Sequence, residues 1–465
     1  MGTKSKGVGT ITEVSRNGRE DADAKKGALE QIWQNAELSV DEKNGKIRQT
    51  IGNCIKALCY DQRTKSMFRY NRMLGRIEVQ DAWWTRHTVG LSGNDVNNIR
   101  LYLEQNYGLI HEKGIPRAIE IIANQNSYHP IVEYLNSLRW DGEKRIENIF
   151  PKYLGAEKSR YTTMATLVFM LGAIARVHEP GTKYDTMLCL VDEKQGGGKS
   201  TLARLFAIKD EWFTDDIKRL DDENIYRKIQ GHWIIEFSEM LAICNAKTIE
   251  ELKNFLSKQK DTYKIPYELY PQDFPRQCIF LGTSNDINFL PNDKTGNRRF
   301  IPLLTDKSKA EVHPLDNEPE TREYVNMAWA EAMEIYKSGE YSLIMPKDMD
   351  SQIEEVRQNF TPEDPKVGII QEWLDDFKDD SVCSIMIYEQ ALGNEYKEPK
   401  AWELKEINEI MNHSIKGWVK HPTKLGTRRF KQYGIQRAWD KQNVNEDIPI
   451  DEFVGVYNQA ELPFD

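Results

Sequence analysis

Residues 189–206, CLVDEKQGGGKSTLARLF, carry the reading on which the fold turns. Residues 187–191 form an apolar run suited to a buried strand and 201–206 have helical periodicity, so the glycines fall where a strand turns into a helix. Gly196, Gly197 and Gly198 accept the backbone angles that aim successive amides at one anion, and the helix N-terminus adds its dipole. Lys199 would reach the β and γ phosphates of ATP, while Ser200, followed by Thr201, would ligate Mg²⁺. The opening glycine usual five residues before Gly198 is replaced by Glu193. Either Glu193 makes the turn or the loop widens. The competing reading is a glycine-rich surface turn that happens to end in a lysine.

The surroundings extend this reading. From about residue 184 to 304, strand-like apolar runs alternate with helical segments, the pattern of a parallel α/β core. Strands are expected at 187–191, 233–237, 278–283 and 299–303. The run GHWIIEFSEM (231–240) ends a strand on Glu236, with Glu239 three residues on. A carboxylate there suits a magnesium-bound water and a general base, and the alternative is a solvated strand end. CIFLGTSNDINF (278–289) brings Asn285 to the end of the next strand, where an amide would hydrogen-bond the attacking water or the γ phosphate; an asparagine in a turn is the alternative. PNDKTGNRRF (291–300) sets Arg298 and Arg299 before a further strand. Planar guanidinium groups suit phosphate, supplied across a subunit boundary, and a surface pair is the alternative.

With 465 residues and 39% hydrophobic content, about three domains are expected. No apolar run approaches the roughly 20 residues of a membrane span, and the first residues lack the apolar core of a secretory signal. The expectation is a protein without membrane attachment. The six cysteines are scattered without a close pair, which suits reduced thiols and not a zinc site. A net charge of −10 confines any nucleic-acid contact to a channel or one domain.

Along the chain, residues 1–45 read as a flexible tail and 46–115 as a small mixed α/β domain. In the latter, SMFRYNRMLGRIEV (66–79) suggests a hairpin, and NDVNNIRLYLEQNYG (94–108) a helix stopped at Gly108. A helical block spans 116–180 and the ATPase domain 181–345, the latter with a polar connection at 305–319 and a helix at 322–337. A C-terminal domain spans 366–442, and 443–465 form an acidic tail.

Taken together, HPIVEYLNSLRWDGEKRIENIF, QGGGKST, GHWIIEFSEM, LKNFLSKQKDTYKIPYE, FLGTSND and TGNRRF, in this order between about 127 and 304, resemble the virulence-associated protein E family of phage and genomic-island replication proteins. That family is similar to superfamily 3 helicases, which are hexameric AAA+ ATPases. The resemblance implies a P-loop AAA+ core in which Lys199 and Ser200 take Walker A roles and Glu236 and possibly Glu239 Walker B roles. Asn285 would be the sensor, and Arg298 or Arg299 the finger from a neighbouring subunit. It also implies that the insertion at 253–276 lines a central channel. Lys258, Lys260 and Lys264 would pair there with phosphates of a single DNA strand, and Tyr263 and Tyr267 would offer faces for stacking. The alternative is a solvated helix end with Lys253 facing water.

A separate signal lies at 416–437, where seven basic residues, Arg428, Arg429 and Lys431 among them, occur with no acid and with Trp418, Phe430 and Tyr433 interleaved. Charge concentrated this way in an acidic protein suggests a duplex-facing surface. A helix at 401–412 followed by the alternating RRFKQYGIQRAW (428–439) suggests a winged helix with Gly434 near the wing. The expected whole is an ATP-dependent hexameric DNA helicase or replication initiator of a phage or mobile element in the bacterial cytoplasm, with any primase on another polypeptide. The rival is an ATP-switched DNA-binding or interference protein that assembles on DNA without unwinding it.

Overall fold

The computed structural model describes residues 30–217, 220, 225–238, 246–264, 270–290, 297–362 and 364–442, with backbone alone for 246–250. The chain divides into two compact units, Met1–Thr361 and Pro362–Asp465.

In the first unit, the N-cap Thr50 of helix α1 (Ile51–Tyr60) accepts from the Asn53 amide. The antiparallel hairpin β1 (Phe68–Asn71) and β2 (Arg76–Val79) follows, as the alternation of apolar residues predicts. Helix α2 (Gly93–Tyr107) starts at a Ser92–Asp95 capping box and stops at Gly108, whose φ of 67° is the left-handed conformation that glycine takes without strain. Helix α3 (Gly114–Gln125) completes a core around Leu58, Phe68, Ile99, Leu103 and Ile119. The flexible tail expected over 1–45 does not hold for residues 30–45. Residues 30–35 are helical, Ala36 and Leu38 are buried in this core, and Trp33 Nε1 donates to the Tyr107 carbonyl at 2.8 Å. Those apolar side chains give residues 32–38 something to bury. The rest of that tail, and the acidic tail at 443–465, lie outside the described residues.

Three helices, α4 (Pro130–Ser137), α5 (Ile149–Leu154) and α6 (Arg160–His178), precede the sheet. Helix α6 is apolar nearly all round and accordingly buried along most of its length. Its one buried guanidinium, Arg176, donates to the carbonyls of Tyr184 at 2.6 Å and Cys278 at 2.8 Å, and more weakly to Thr182 and Lys258.

The central sheet is parallel, in the order β4 (Phe213–Thr214), β5 (Ile234–Phe237), β8 (Ile279–Ser284), β3 (Met187–Val191), β9 (Phe300–Leu304). Each long strand begins within one residue of its expected position. Every residue of β3, β5 and β8 is buried, which is why these strands read as continuous apolar runs and not as alternations. The hairpin β6 (Lys260–Tyr263) and β7 (Gln272–Pro275) lies between β5 and β8 in sequence. Helix α7 (Lys199–Phe206) follows the glycines, α8 (Ile225–Ile229) precedes β5 and α9 (Ala246–Ser257) precedes β6; α10 (Glu318–Ser338) packs on α6 and sets Trp329 4.5 Å from Trp233, just ahead of β5, ring to ring. Helix α10 starts four residues earlier than expected because Asn317 caps it and Pro319 sits in its first turn, a start signal read as connection.

The second unit comprises α11 (Pro365–Asp375), β10 (Ser381–Cys383), a helical turn over 384–391, α12 (Ala401–His413), β11 (Trp418–Lys420), β12 (Thr427–Phe430) and β13 (Gly434–Lys441). Strand β13 pairs antiparallel with each of the other three. No helix among the described residues is long and apolar enough to cross a membrane.

Candidate nucleotide site and basic surfaces

The glycine-rich loop runs from the end of β3 into α7, and two of its glycines have positive φ, 74° at Gly196 and 84° at Gly198. These are left-handed angles that other residues reach only with strain. Gly197 and Gly198 are also demanded by what lies behind them. A Cβ on Gly197 would stand 2.9 Å from Asp192 Oδ2, and one on Gly198 2.8 Å from Pro314 Cδ and 3.2 Å from His313 Nε2.

Glu193 causes no distortion, because it is not among the non-glycine residues with positive φ. Asp192 opens the loop instead. Its buried carboxylate accepts from the Lys194 amide at 2.8 Å and from the Lys307 amide at 3.3 Å, while its own amide donates to the Ser284 carbonyl at 3.2 Å. An aspartate bonding the amide two residues on is a turn in its own right, so the opening position needs no glycine. The segment after β9 braces the loop from outside: Lys307 Nζ donates to the Gln195 carbonyl at 2.8 Å, and Thr305 donates to the Val191 carbonyl.

The polar side chains converge inside the cleft. Lys199 Nζ donates to Asn285 Oδ1 at 2.9 Å and to the Asp192 carbonyl at 3.3 Å. Ser200 Oγ and Thr283 Oγ1 each donate to Glu236 Oε1 at 2.6 Å. Glu236 is 0% exposed, and its Oε2 has no hydrogen-bond partner among the described residues. Burial pushes the Glu236 carboxyl above its ordinary range; the bonds from Ser200 and Thr283 oppose that shift, and the nearby Asp215 charge adds to it. Burial likewise lowers the Lys199 ammonium, with the Asp192 and Glu236 charges opposing. The loop from Gln195 to Thr201, Ser238, and Thr283 to Asn285 line a cavity of about 370 Å³. An orphaned buried carboxylate oxygen beside a serine hydroxyl is a donor set that suits a divalent cation carried in on phosphates. Glu239 lies outside the described residues.

Arg298 and Arg299 are remote from this cleft. Phe300 pairs with Met187 at the start of β3, so both arginines sit at the opposite end of the sheet from the loop, roughly 15 Å away at about 3.3 Å per residue. Arg299 is fastened within its own chain, donating to Ser257 Oγ at 3.0 Å and facing Asp185 at 3.6 Å, whereas Arg298 is exposed.

The structure divides the three insertion lysines. Lys258 Nζ donates to the Tyr226 hydroxyl at 2.7 Å, Lys260 pairs with Asp273 at 2.5 Å, and Lys264 is exposed at the end of β6. Tyr263 stacks on Phe274 at 4.2 Å and donates to Gln230, so its face is occupied. Tyr267 lies outside the described residues. Lys253 does not face water: it is only 2% exposed. The root of the hairpin is locked by a buried pair, Arg276 to Asp261 at 2.8 Å.

In the second unit, Arg428, Arg429 and Lys431 are all exposed. Arg428 also bonds Ser381 Oγ and faces Asp440 at 3.6 Å, an acid that His421 shares at 2.6 Å. Trp418 is buried and Tyr433 donates to Glu389 at 2.9 Å, so these aromatics belong to the core and not to an open face.

The residues missed in the sequence were Asp192, Thr283, Lys307, His313 and Pro314. Only Asp192 carried a local signal, an acid two residues ahead of the amide it caps.

A parallel sheet with a phosphate-loop-like cleft at the carboxyl ends of its strands defines a mixed α/β protein with a P-loop-like core. Residues 135–362 match the model of the virulence-associated protein E-like domain, and the chain carries that domain over this span. Among solved structures it is similar to the C-terminal region of NrS-1, residues 305–718, in an apo structure: TM-score 0.43, 12% identity, 81% of this chain and 96% of that one. It is also similar to an A-form apo structure of that region, with TM-score 0.44, 12% identity and the same coverage. A search of curated proteins returned no match.

Proposed function

We propose that the chain is an ATP-hydrolysing DNA helicase or replication initiator of a phage or mobile element, working as a ring, by inference a hexamer. The observation that carries this reading is the meeting of Lys199, Ser200, Glu236 and Asn285 in one cleft, from three separate strand ends. The asparagine strand β8 lies between the glycine-loop strand β3 and the carboxylate strand β5, an arrangement that supports the AAA+ class.

The chemistry follows from the contacts. Loop amides and Lys199 would bind the phosphates, drawing the ammonium away from Asn285 and freeing that amide to orient water. Glu236, its basicity raised by burial, would accept the water's proton. Ser200 and Glu236 Oε2 would hold Mg²⁺, which supplies charge neutralisation on the phosphates. Arg298, exposed and far from its own loop, is the arginine that would reach a neighbour's phosphates; Arg299 would position the hairpin root.

Lys264 near the hairpin tip would meet a single strand in a central channel. The second unit, with its order of helix, strand, helical turn, helix and three strands, the last two a hairpin, is read as a winged helix whose basic hairpin meets duplex DNA. Phosphate release with and without DNA, together with strand displacement on a forked duplex, tests the whole. Hydrolysis with DNA binding but no displacement would favour an ATP-switched DNA-binding protein instead. Retention of Lys258 and Lys260 by Tyr226 and Asp273 is the observation on that side.

A further inference from the structure

Outside the cleft and the two hairpins, the loop between β2 and α2 presents a tryptophan to solvent. Trp83 is 42% exposed, and what stands behind it is rigidly built. The Tyr102 ring lies 4.7 Å from it, tilted by 54°, and the Trp84 ring lies 4.7 Å from it, edge-on at 88°. The polar ends of both backing rings are satisfied inward. Tyr102 donates to Asp61 at 2.8 Å, an acid that also accepts from Tyr107 at 2.9 Å, and Trp84 Nε1 donates to Asp95 at 2.7 Å. Asp95 is further engaged by Arg86 and Ser92. Burial alone would raise its carboxyl, but the bonds from Arg86, Trp84 and Ser92 hold it down at about 2. Asp95 is thus paired with Arg86, and Asp61 is held behind the patch by two hydroxyls.

The rim is cationic. The Arg63 guanidinium stands 5.8 Å from the centre of the Trp83 ring, and Lys65 and Tyr60 are exposed near it in sequence, with Asp81 the one exposed acid of the loop. Of the other basic residues between 56 and 76, Arg69 and Arg76 pair with Glu133 and Glu78 and Lys56 donates to the Glu37 carbonyl, so the cation at the ring is Arg63. An exposed indole held by fastened rings, beside a planar cation, is a surface on which a nucleobase stacks while the flanking phosphate meets the guanidinium.

We propose that Trp83, backed by Tyr102 and rimmed by Arg63, is a stacking site for single-stranded nucleic acid, separate from the channel and from the C-terminal hairpin. The choice of ligand rests on the replication reading above, but the site itself requires no ATP hydrolysis. Its cationic rim favours a phosphate-bearing strand over a second copy of the chain, whose net charge is negative.

The test is fluorescence anisotropy of a labelled oligothymidylate with the full chain, without nucleotide. Trp83→Ala should weaken binding about tenfold and Trp83→Phe much less, because stacking on one ring contributes 1–3 kcal/mol, roughly 5- to 150-fold. Arg63→Ala should weaken it about threefold and lower the salt slope by roughly 0.7. Arg63 is exposed and Trp83→Phe keeps a ring against Tyr102 and Trp84, so the melting temperatures of Arg63→Ala and Trp83→Phe should stay near the parent value. Duplex affinity and basal ATP turnover should not move. Parent-like affinity in both alanine variants overturns the site. So does a loss of self-association by Trp83→Ala in sedimentation with strand binding unchanged, which would assign the patch to contact between copies. If the parent neither hydrolyses ATP nor unwinds yet binds the strand through Trp83, the replication reading falls and the site stands. If the parent unwinds DNA and Trp83→Ala binds as the parent does, the site alone falls.

Discussion

In the candidate nucleotide cleft, charged and polar side chains turn inward and use one another as partners; at the two hairpins basic side chains turn outward, and several are already paired with nearby groups. Lys199, Asn285, Ser200 and Glu236 lie within hydrogen-bond distance of one another in pairs, and Glu236 keeps one oxygen unpartnered among the described residues. At one hairpin Lys260 and, just ahead of it, Lys258 are held by Asp273 and Tyr226, and Arg428 of the other is held by Ser381 and Asp440. A preorganised cleft concentrates function in few residues, each costly to replace. A solvated basic surface spreads it over many, and an ion pair decides which of them are available.

The strongest way to break this contrast is Lys199→Ala. Phosphate release should fall by about three orders of magnitude with the melting temperature little changed, since the charge removed acts on the transferred phosphate. Turnover near the parent rate would remove the cleft from the account. Glu236→Gln should slow hydrolysis about a hundredfold while nucleotide binding persists, and the parent's rate should fall as pH drops through the raised Glu236 pKa. Stability should move the other way. The fold favours the protonated carboxyl, so holding it charged becomes costly as pH rises from the ordinary glutamate range through the raised value. Glutamine mimics the protonated form. Melting of Glu236→Gln in the absence of nucleotide should therefore lie above the parent at neutral pH and equal it at low pH, as calorimetry across pH would reveal.

The arginines sharpen the comparison at intermediate effect. Arg298→Ala mixed with Lys199→Ala should recover activity through mixed interfaces, and Arg299→Ala should instead lower the melting temperature, because it loses Ser257 and Asp185. Equal rescue by both would mean that the fastened arginine is not merely structural. Among the hairpin lysines, Lys264→Ala should reduce DNA-stimulated hydrolysis severalfold and Lys260→Ala hardly at all, measured side by side at one salt concentration. The smallest effect is expected in the second unit: neutralising Arg429 and Lys431 should lower the salt slope of duplex binding by roughly two, and Arg428→Ala by less than one.

What was legible in the sequence follows the same division. The glycine loop, the carboxylate strand and the asparagine strand were readable because each depends on a few adjacent residues and on runs apolar enough to be buried. Asp192 shows how Glu193 could stand where a glycine is usual, a substitution that looked like a defect only while the loop was judged by its spacing. The brace from Lys307, His313 and Pro314 was invisible, because it comes from more than a hundred residues away and no local pattern marks it. The availability of Lys258 and Lys260 could not be read from their charge either. Their partners, Tyr226 and Asp273, are set by tertiary contact.

Arg176 has a consequence for how this protein comes apart. One guanidinium is shared by carbonyls in the turn after α6, in the lead into β3, at the root of the β6–β7 hairpin and just ahead of β8. Opening any one of these segments strands a buried charge against the other three, and burial already penalises that charge. Amide protons at the hairpin root should therefore exchange with solvent at the slow pace of the central sheet and not at that of a surface loop, making the base of the hairpin and the sheet a single cooperative unit of unfolding.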